Sequence, residues 1–264
     1  MKRLPIRERK LKAQVVFVAN ISTPHYKVMG SRFYNNLEKS LRRQPNMAKE
    51  AQVLMNVTSP MWTIEQRAEA MADKVAKLSK KSGQPVHLIA HSFAGVDARY
   101  AISLMGKRHV QTLTTLCSPH KGMTLVDKSL QHPNEYGDLS QSDRAFEVLG
   151  MSTRNVAEFT SKNMAAFNEV VQEKRNCNYF SFGAKKKELM VNDLLRSNHS
   201  LITEQRVETE TDGMVRTPDM AWGKYLLTFD HDHLEVVGFD PSVPVDHVAA
   251  LMVDNLRVSE QMGQ

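Results

Sequence analysis

The sequence predicts an α/β fold: a mostly parallel central sheet with helices on both faces. Two observations carry that expectation. Short β-branched runs alternate with longer amphipathic segments at helical spacing, the pattern of βαβ units. One apolar run also passes directly through a small-residue turn into a helix-like segment, Val86-His-Leu-Ile-Ala-His-Ser-Phe-Ala-Gly-Val-Asp-Ala-Arg99. A length of 264 residues with 41% hydrophobic content suffices for one sizeable core and excludes disorder as the main state.

The first segment, residues 1–13, is a basic arm, with Lys2, Arg3, Arg7, Arg9, Lys10 and Lys12 against Glu8. No apolar stretch comes after it, so it does not read as a secretory signal. Residues 14–264 are expected to form one domain. Residues 14–18 make a first buried strand, and 30–43 a helix with Phe33, Leu37 and Leu41 on one face. Residues 51–57 read as a second strand. The segment 63–78 is a strong amphipathic helix, with Ile64, Ala68, Met71, Val75 and Leu78 on its buried side. Thr63 and Gln66 have capping-box spacing, and the Gly83 to Pro85 stretch ends the helix. Residues 86–90 form a strand, 95–105 a helix closed by Gly106, and 110–117 another strand.

From about 123 to 175 the strand pattern stops. Phe146, Leu149, Met151, Val156, Phe159, Met164, Phe167 and Val170 give this stretch a helical character. A helical insert between two sheet segments is the sequence form of a cap or lid. Strands are expected again at 178–183, 207–210 and 225–229, and a closing helix at 245–258.

Charge and composition narrow the function classes. Lys and Arg number 35 against 29 for Asp and Glu, a net charge of +6. Mild positive charge favours anionic surfaces in general. The basic residues are scattered, with only Lys185, Lys186 and Lys187 in a tight cluster, and no recognition motif accompanies them. No nucleic-acid partner is expected. Two cysteines, Cys117 and Cys177, cannot build a disulfide framework and point to a reducing compartment. No apolar run reaches the roughly 18 residues of a spanning helix. The 15 methionines are expected to supply adaptable apolar lining.

Ser92 sits at the turn between an apolar strand and a helix, the layout of a nucleophile elbow. The positions two before and two after must be small, because they pack against each other. Here both are alanine, Ala90 and Ala94, with Gly95 one step later. A serine at this place can also simply cap the helix. A nucleophilic serine needs a base, and the base needs an orienting acid. Downstream, Asp212 comes after a β-compatible run and precedes a glycine, so it is expected at a strand's C-terminal end. His231 and His233 lie beyond it, in a loop after an apolar run. The chain order serine, acid, histidine is that of a Ser-His-Asp triad on an open parallel sheet.

With these residues in hand, the chain resembles the α/β-hydrolase lipases, in particular bacterial true lipases and fungal mitochondrial triacylglycerol lipases. Three blocks carry the resemblance: residues 86–99 around Ser92; Leu113-Thr-Thr-Leu-Cys-Ser-Pro-His-Lys-Gly122; and Asp212-Gly-Met-Val with Trp222-Gly and Asp232-His-Leu-Glu235. Residues 64–68, Ile-Glu-Gln-Arg-Ala, match the family's helix before the elbow. The resemblance implies an α/β-hydrolase fold with a helical cap. It implies Ser92 as nucleophile, Asp212 as triad acid and His233, rather than His231, as base. His231 is then an exposed residue or a loop hydrogen-bonder, and His91 and His120 are scaffold.

The resemblance further implies hydrolysis of acyl esters of lipids such as triacylglycerols, peripheral contact with a membrane, and a mitochondrial or cytoplasmic setting. Backbone N–H groups of Phe93 and Ile21 would form the oxyanion hole. The family's His-Gly after the first strand is replaced here by Ala19-Asn20. That departure, with Ala90 and Ala94, supports a second reading: a catalytically impaired hydrolase fold that binds lipid or acts as a scaffold. Bacterial relatives bind a structural calcium near the histidine. Glu235 matches one ligand position, with Asp193 as a candidate partner. Neither a metal nor any other cofactor is expected.

Overall fold

Six parallel strands form one sheet in the order β2-β1-β3-β4-β5-β6. They are β1 (Val15–Ala19), β2 (Val53–Val57), β3 (Val86–His91), β4 (Val110–Leu116), β5 (Asn178–Ala184) and β6 (Lys224–Phe229). This architecture comes from a computed structural model, which describes residues 10–19, 34–47, 53–57, 62–106, 108–131, 153–204 and 210–262. The register runs Val15 to Val53, Val16 to Leu88 and Ala90 to Thr115 across the first four strands. The predicted α/β-hydrolase fold is the one observed.

The strands are apolar on both sides because helices cover both sides. Along β1 the side chains alternate: Val15 and Phe17 join one core cluster, Val16 and Val18 the other. Ile89 of β3 enters the first, and Leu88 and Ala90 enter the second. The second cluster is closed by α2 (Ile64–Ser82) and α3 (Ala94–Leu104), the first by α1 (Asn35–Arg43) and the last helix of the chain. The strand-to-helix alternation anticipated these layers, since a helix that succeeds a parallel strand must pack back onto the sheet.

Local signals set the helix ends. Thr63 accepts a hydrogen bond from the amide of Gln66, whose side chain returns to the amide of Thr63. Gly83 closes α2 in the left-handed region at φ 71°. The 19-residue helix runs four residues beyond the expected end, to Ser82, because Ser79 and Ser82 both donate to the carbonyl of Gln84.

Between β4 and β5 lie α4 (Thr124–Gln131), α5 (Thr153–Val156) and α6 (Ser161–Val170), with a 3-10 turn at Ala157–Phe159. The helical character expected for 123–175 holds where the chain is described, and residues 132–152 lie outside the described residues. So do residues 1–9 of the basic arm and residues 30–33 of the first predicted helix. After β5 come α7 (Asp193–Thr203), β6, and α8 (Asp246–Met262) packed beside α1.

Of the strand expected at 207–210, residues 207–209 lie outside the described residues, and Glu210 is not in a strand. Residues 211–216 form a tight turn, in which Thr211 makes one isolated antiparallel bridge to Arg216. Gly213, at φ 92°, folds the chain back on itself in this turn.

Candidate active site

The C-terminal ends of β3, β4, β5 and β6 converge on Ser92. Ser92 comes directly after β3 and adopts φ 57°, a left-handed conformation that costs a non-glycine residue about 1–2 kcal/mol. The strain is held by its surroundings. The Ser92 amide donates to the Leu116 carbonyl of β4 at 2.9 Å, and the Gly95 amide donates to the Ser92 carbonyl at 3.1 Å. Ala90 and Ala94 are fully buried, so the small-residue requirement of the elbow is met by alanine. Gly95 carries the tighter constraint: a methyl there would overlap Ser118 and crowd Thr115. The turn therefore presents the Ser92 hydroxyl above the sheet, at the start of α3.

His233 comes from the loop after β6. Its Nε2 lies 3.0 Å from Ser92 Oγ, and its Nδ1 lies 2.6 Å from Asp212 Oδ2. With Asp212 accepting from Nδ1–H, Nε2 carries the lone pair and accepts from the serine hydroxyl. Both His233 and Asp212 are completely buried. The second carboxylate oxygen of Asp212 accepts from the amides of Met214 at 2.9 Å and Val215 at 2.8 Å. Those bonds need the turn around Gly213, so Asp212 sits in a tight turn and not at the end of a strand as expected. The His233 amide also donates to the Asp212 carbonyl at 2.9 Å, which ties the two loops together.

The histidine loop has its own scaffold, which sequence reasoning missed. Asp232 is buried, and its Oδ1 accepts from the amides of Leu234 and Glu235, each at 2.8 Å. Its Oδ2 accepts from the Asn192 amide at 2.7 Å. Burial pushes this carboxyl up, against the pull of the three amides. The Asp-x-x-Glu spacing was the available signal: Glu235 accepts in turn from the Asp232 amide at 3.0 Å.

Three motif residues meet elsewhere on the same edge. Arg99 stacks 3.3 Å over Trp222, donates to Asn168 at 2.8 Å and to the Val171 carbonyl at 2.9 Å, and lies 3.3 Å from His120 Nδ1. Burial pulls the Arg99 guanidinium down to about 9. His120 is held well below its ordinary value by burial and then by Arg99, and its Nε2 pairs with Thr115 at 2.9 Å. His120 thus belongs to the scaffold, as its motif implied.

His231 is corrected. It is 9% exposed, and neither ring nitrogen has a hydrogen-bond partner among the described residues. It packs against His247 at 5.0 Å and edge-on to Phe229 at 6.2 Å. It is neither exposed nor a loop hydrogen-bonder, because α8 brings His247 over it.

Phe93 opens α3, where the first amides of a helix lack intrahelical acceptors. Its ring packs 4.2 Å from Phe159 of the insert. Ile21 and Asn20 lie outside the described residues. Beside α6, a groove of about 270 Å³ is lined by Ile64, Glu65, Tyr100, Glu158, Met164 and Phe167. Among the described methionines, Met164 lines it, whereas Met123, Met214 and Met220 are core.

The donor sets do not fit a metal. Lys186 Nζ lies 3.0 Å from the Glu235 carboxylate, and Asp193 pairs with Arg196 at 2.7 Å. An ammonium thus faces the Glu235 carboxylate, and Asp193 is turned to a different partner. Cys117, Asp212 and His233 bring their ligand atoms within 4.8 Å of one another. There the acid and the imidazole already bind each other, and burial, then Asp212, pushes the Cys117 thiol well up, so it stays protonated.

The chain is also similar to known proteins. The palmitoyl protein thioesterase family model matches residues 22–200. The chain is 26% identical to triacylglycerol lipase 2 of Saccharomyces cerevisiae over 200 residues, covering 73% of this chain and 59% of that protein. It therefore spans less than two thirds of the curated relative's length. Among solved structures, the mature lipase of Bacillus licheniformis superposes with TM-score 0.68 at 18% identity, covering 92% of this chain and 94% of that one. A metagenomic carboxyl esterase gives 0.70 at 15% identity over 96% and 77%. The Staphylococcus hyicus lipase gives 0.64 at 14% over 97% and 98%. At these identities the likeness shows the fold.

Proposed function

From the premise that this chain belongs to the palmitoyl protein thioesterase family, we propose that it is a serine hydrolase of lipid acyl esters, triacylglycerols among them. The observation that carries the reading is the buried line Ser92 Oγ, His233, Asp212, with contacts of 3.0 and 2.6 Å. A buried histidine with a hydroxyl on one nitrogen and a carboxylate on the other can take and return a proton without rearranging.

In the proposed reaction Ser92 Oγ attacks the acyl carbonyl carbon as its proton passes to His233 Nε2. Asp212 holds the imidazole tautomer and stabilises the imidazolium. The oxyanion is bound by the Phe93 amide at the start of α3 and, on the proposal, by the Ile21 amide. The tetrahedral intermediate collapses and expels the alcohol, which takes the proton from His233. Water then attacks the acyl-serine with His233 as base, and the fatty acid leaves. Each oxyanion donor of this kind contributes about 2.7–4 kcal/mol to transition-state stabilisation.

The insert at 123–175 is proposed as a cap that lines the acyl site, supported by Phe159 on Phe93 and by the groove beside α6. Peripheral contact with a lipid surface accompanies the proposed substrate. A reducing setting, mitochondrial or cytoplasmic, is supported by the free, buried Cys117 and Cys177. The impaired-scaffold reading has less support, because both contacts of the triad are formed.

The experiment is turnover of p-nitrophenyl esters of increasing acyl length by purified protein, beside Ser92→Ala. Activity that vanishes in the variant is expected. Equal background in both proteins would overturn the assignment.

A further inference from the structure

We propose that His91 is a positioning residue for His233: its ring, anchored by Tyr34, is the wall that keeps the His233 imidazole in line between Ser92 and Asp212. This rests on the triad reading above.

His91 is the last residue of β3, immediately before the nucleophile, and is completely buried. Its ring centre lies 4.6 Å from that of His233, tilted by 44°. Its Nδ1 lies 3.2 Å from Tyr34 Oη. Tyr34 is itself buried, edge-on to Phe17 of β1 at 5.3 Å. The rings form a row, Phe17, Tyr34, His91, His233, that runs from the first strand into the site.

The row answers a mechanical need. His233 must meet two partners at fixed distances and keep that geometry while it becomes a cation. Its two hydrogen bonds define the ring plane from the edges, and a body against the ring face is needed to stop it from tilting out. His91 supplies that body. A phenyl ring would fill similar space, but it could not hydrogen-bond Tyr34 and its own orientation would be unfixed.

The neighbour must also stay neutral, since two adjacent imidazolium ions would oppose the proton transfer. Burial holds His91 well below its ordinary value, and the charge of His233 lowers it further. The Tyr34 phenol is pushed up by burial and keeps its proton, so the contact with His91 Nδ1 joins two neutral groups.

The test uses the full chain carrying His91→Leu, His91→Gln and Tyr34→Phe, with thermal unfolding to confirm folding. Turnover of a p-nitrophenyl ester and the rate of Ser92 labelling by a fluorophosphonate are read together. For His91→Leu, kcat and the labelling rate are expected to fall about ten- to a hundredfold with KM little changed. His91→Gln can accept from Tyr34 through its side-chain oxygen and should recover part of the loss. Tyr34→Phe, which removes only the anchor, should lower kcat by less with KM unchanged. A folded His91→Leu protein with parental kcat and labelling rate, or a loss confined to KM, would overturn the proposal. If His91→Leu does not fold, Tyr34→Phe decides, and parental kcat there overturns it. Failure of the unsubstituted protein to label at Ser92 would be distinct: it removes the triad reading, and this inference with it.

Discussion

Arg99 lays its guanidinium 3.3 Å over the ring of Trp222, far away in sequence, and with the same group holds Asn168 and the Val171 carbonyl at the end of α6. One side chain of α3, the helix after Ser92, thus fastens the insert to the body of the protein. No carboxylate makes a salt bridge with it among the described residues, so the stack and the fork of hydrogen bonds carry the contact.

Arg99→Lys is expected to destabilise the protein, because an ammonium cannot stack as a plane and reach both oxygens. The loss of a desolvated cation–π contact alone is worth about 2 kcal/mol. Urea unfolding measures it, with a lowered midpoint and an unchanged slope as the expected outcome.

Arg67 and Asp97 pair in full burial between α2 and α3, at 2.8 and 3.0 Å. Asp97→Ala leaves a buried guanidinium short of its partner, which typically costs about 3–5 kcal/mol. Replacing both residues with apolar ones of similar volume should recover much of that. A single variant as stable as the parent would contradict the buried pairing.

Gly95→Ala places a methyl against Ser118 and Thr115. Overpacking of this kind costs about 1–3 kcal/mol. Because Gly95 also donates to the Ser92 carbonyl, the shift should reach the elbow. Esterase activity is expected to fall more than the melting temperature alone explains, measured at a temperature where the variant is still folded.

At the opposite edge of the sheet, Glu260 of α8 accepts from the amides of Ala13 at 2.7 Å and Lys12 at 3.0 Å. Burial pushes this carboxyl up, but His87 and the two amides outweigh it, and the net position is below the usual carboxylate value. A depressed folded value means stability that is present above the unfolded pKa and lost as pH falls through the folded one. The stability gap between the parent and Glu260→Gln should be full at neutral pH and close on acidification below about pH 4.5, the ordinary range of the group. A gap independent of pH would contradict this.

The sheet and the order of the site residues were legible because both are written locally. Val15 to Val18 announce a strand, Thr63 and Gln66 a helix start, and residues 86–99 a strand, turn and helix. The setting of Asp212 was less so: it sits in a turn made by Gly213 and by two amide hydrogen bonds to one carboxylate oxygen, contacts that residue propensity does not report. The burial of His231 was hidden because it depends on His247, which α8 brings from later in the chain. Asp232 and the Arg99 to Trp222 stack were likewise hidden, since such partners meet only when the C-terminal ends of the strands are assembled.

Intact-mass and peptide mapping after fluorophosphonate treatment tests the central claim most directly. One stoichiometric adduct is expected, on Ser92, that is absent from Ser92→Ala and forms far more slowly in folded His233→Ala. A folded parent protein that stays unlabelled, or is labelled elsewhere with Ser92 intact, would contradict the triad.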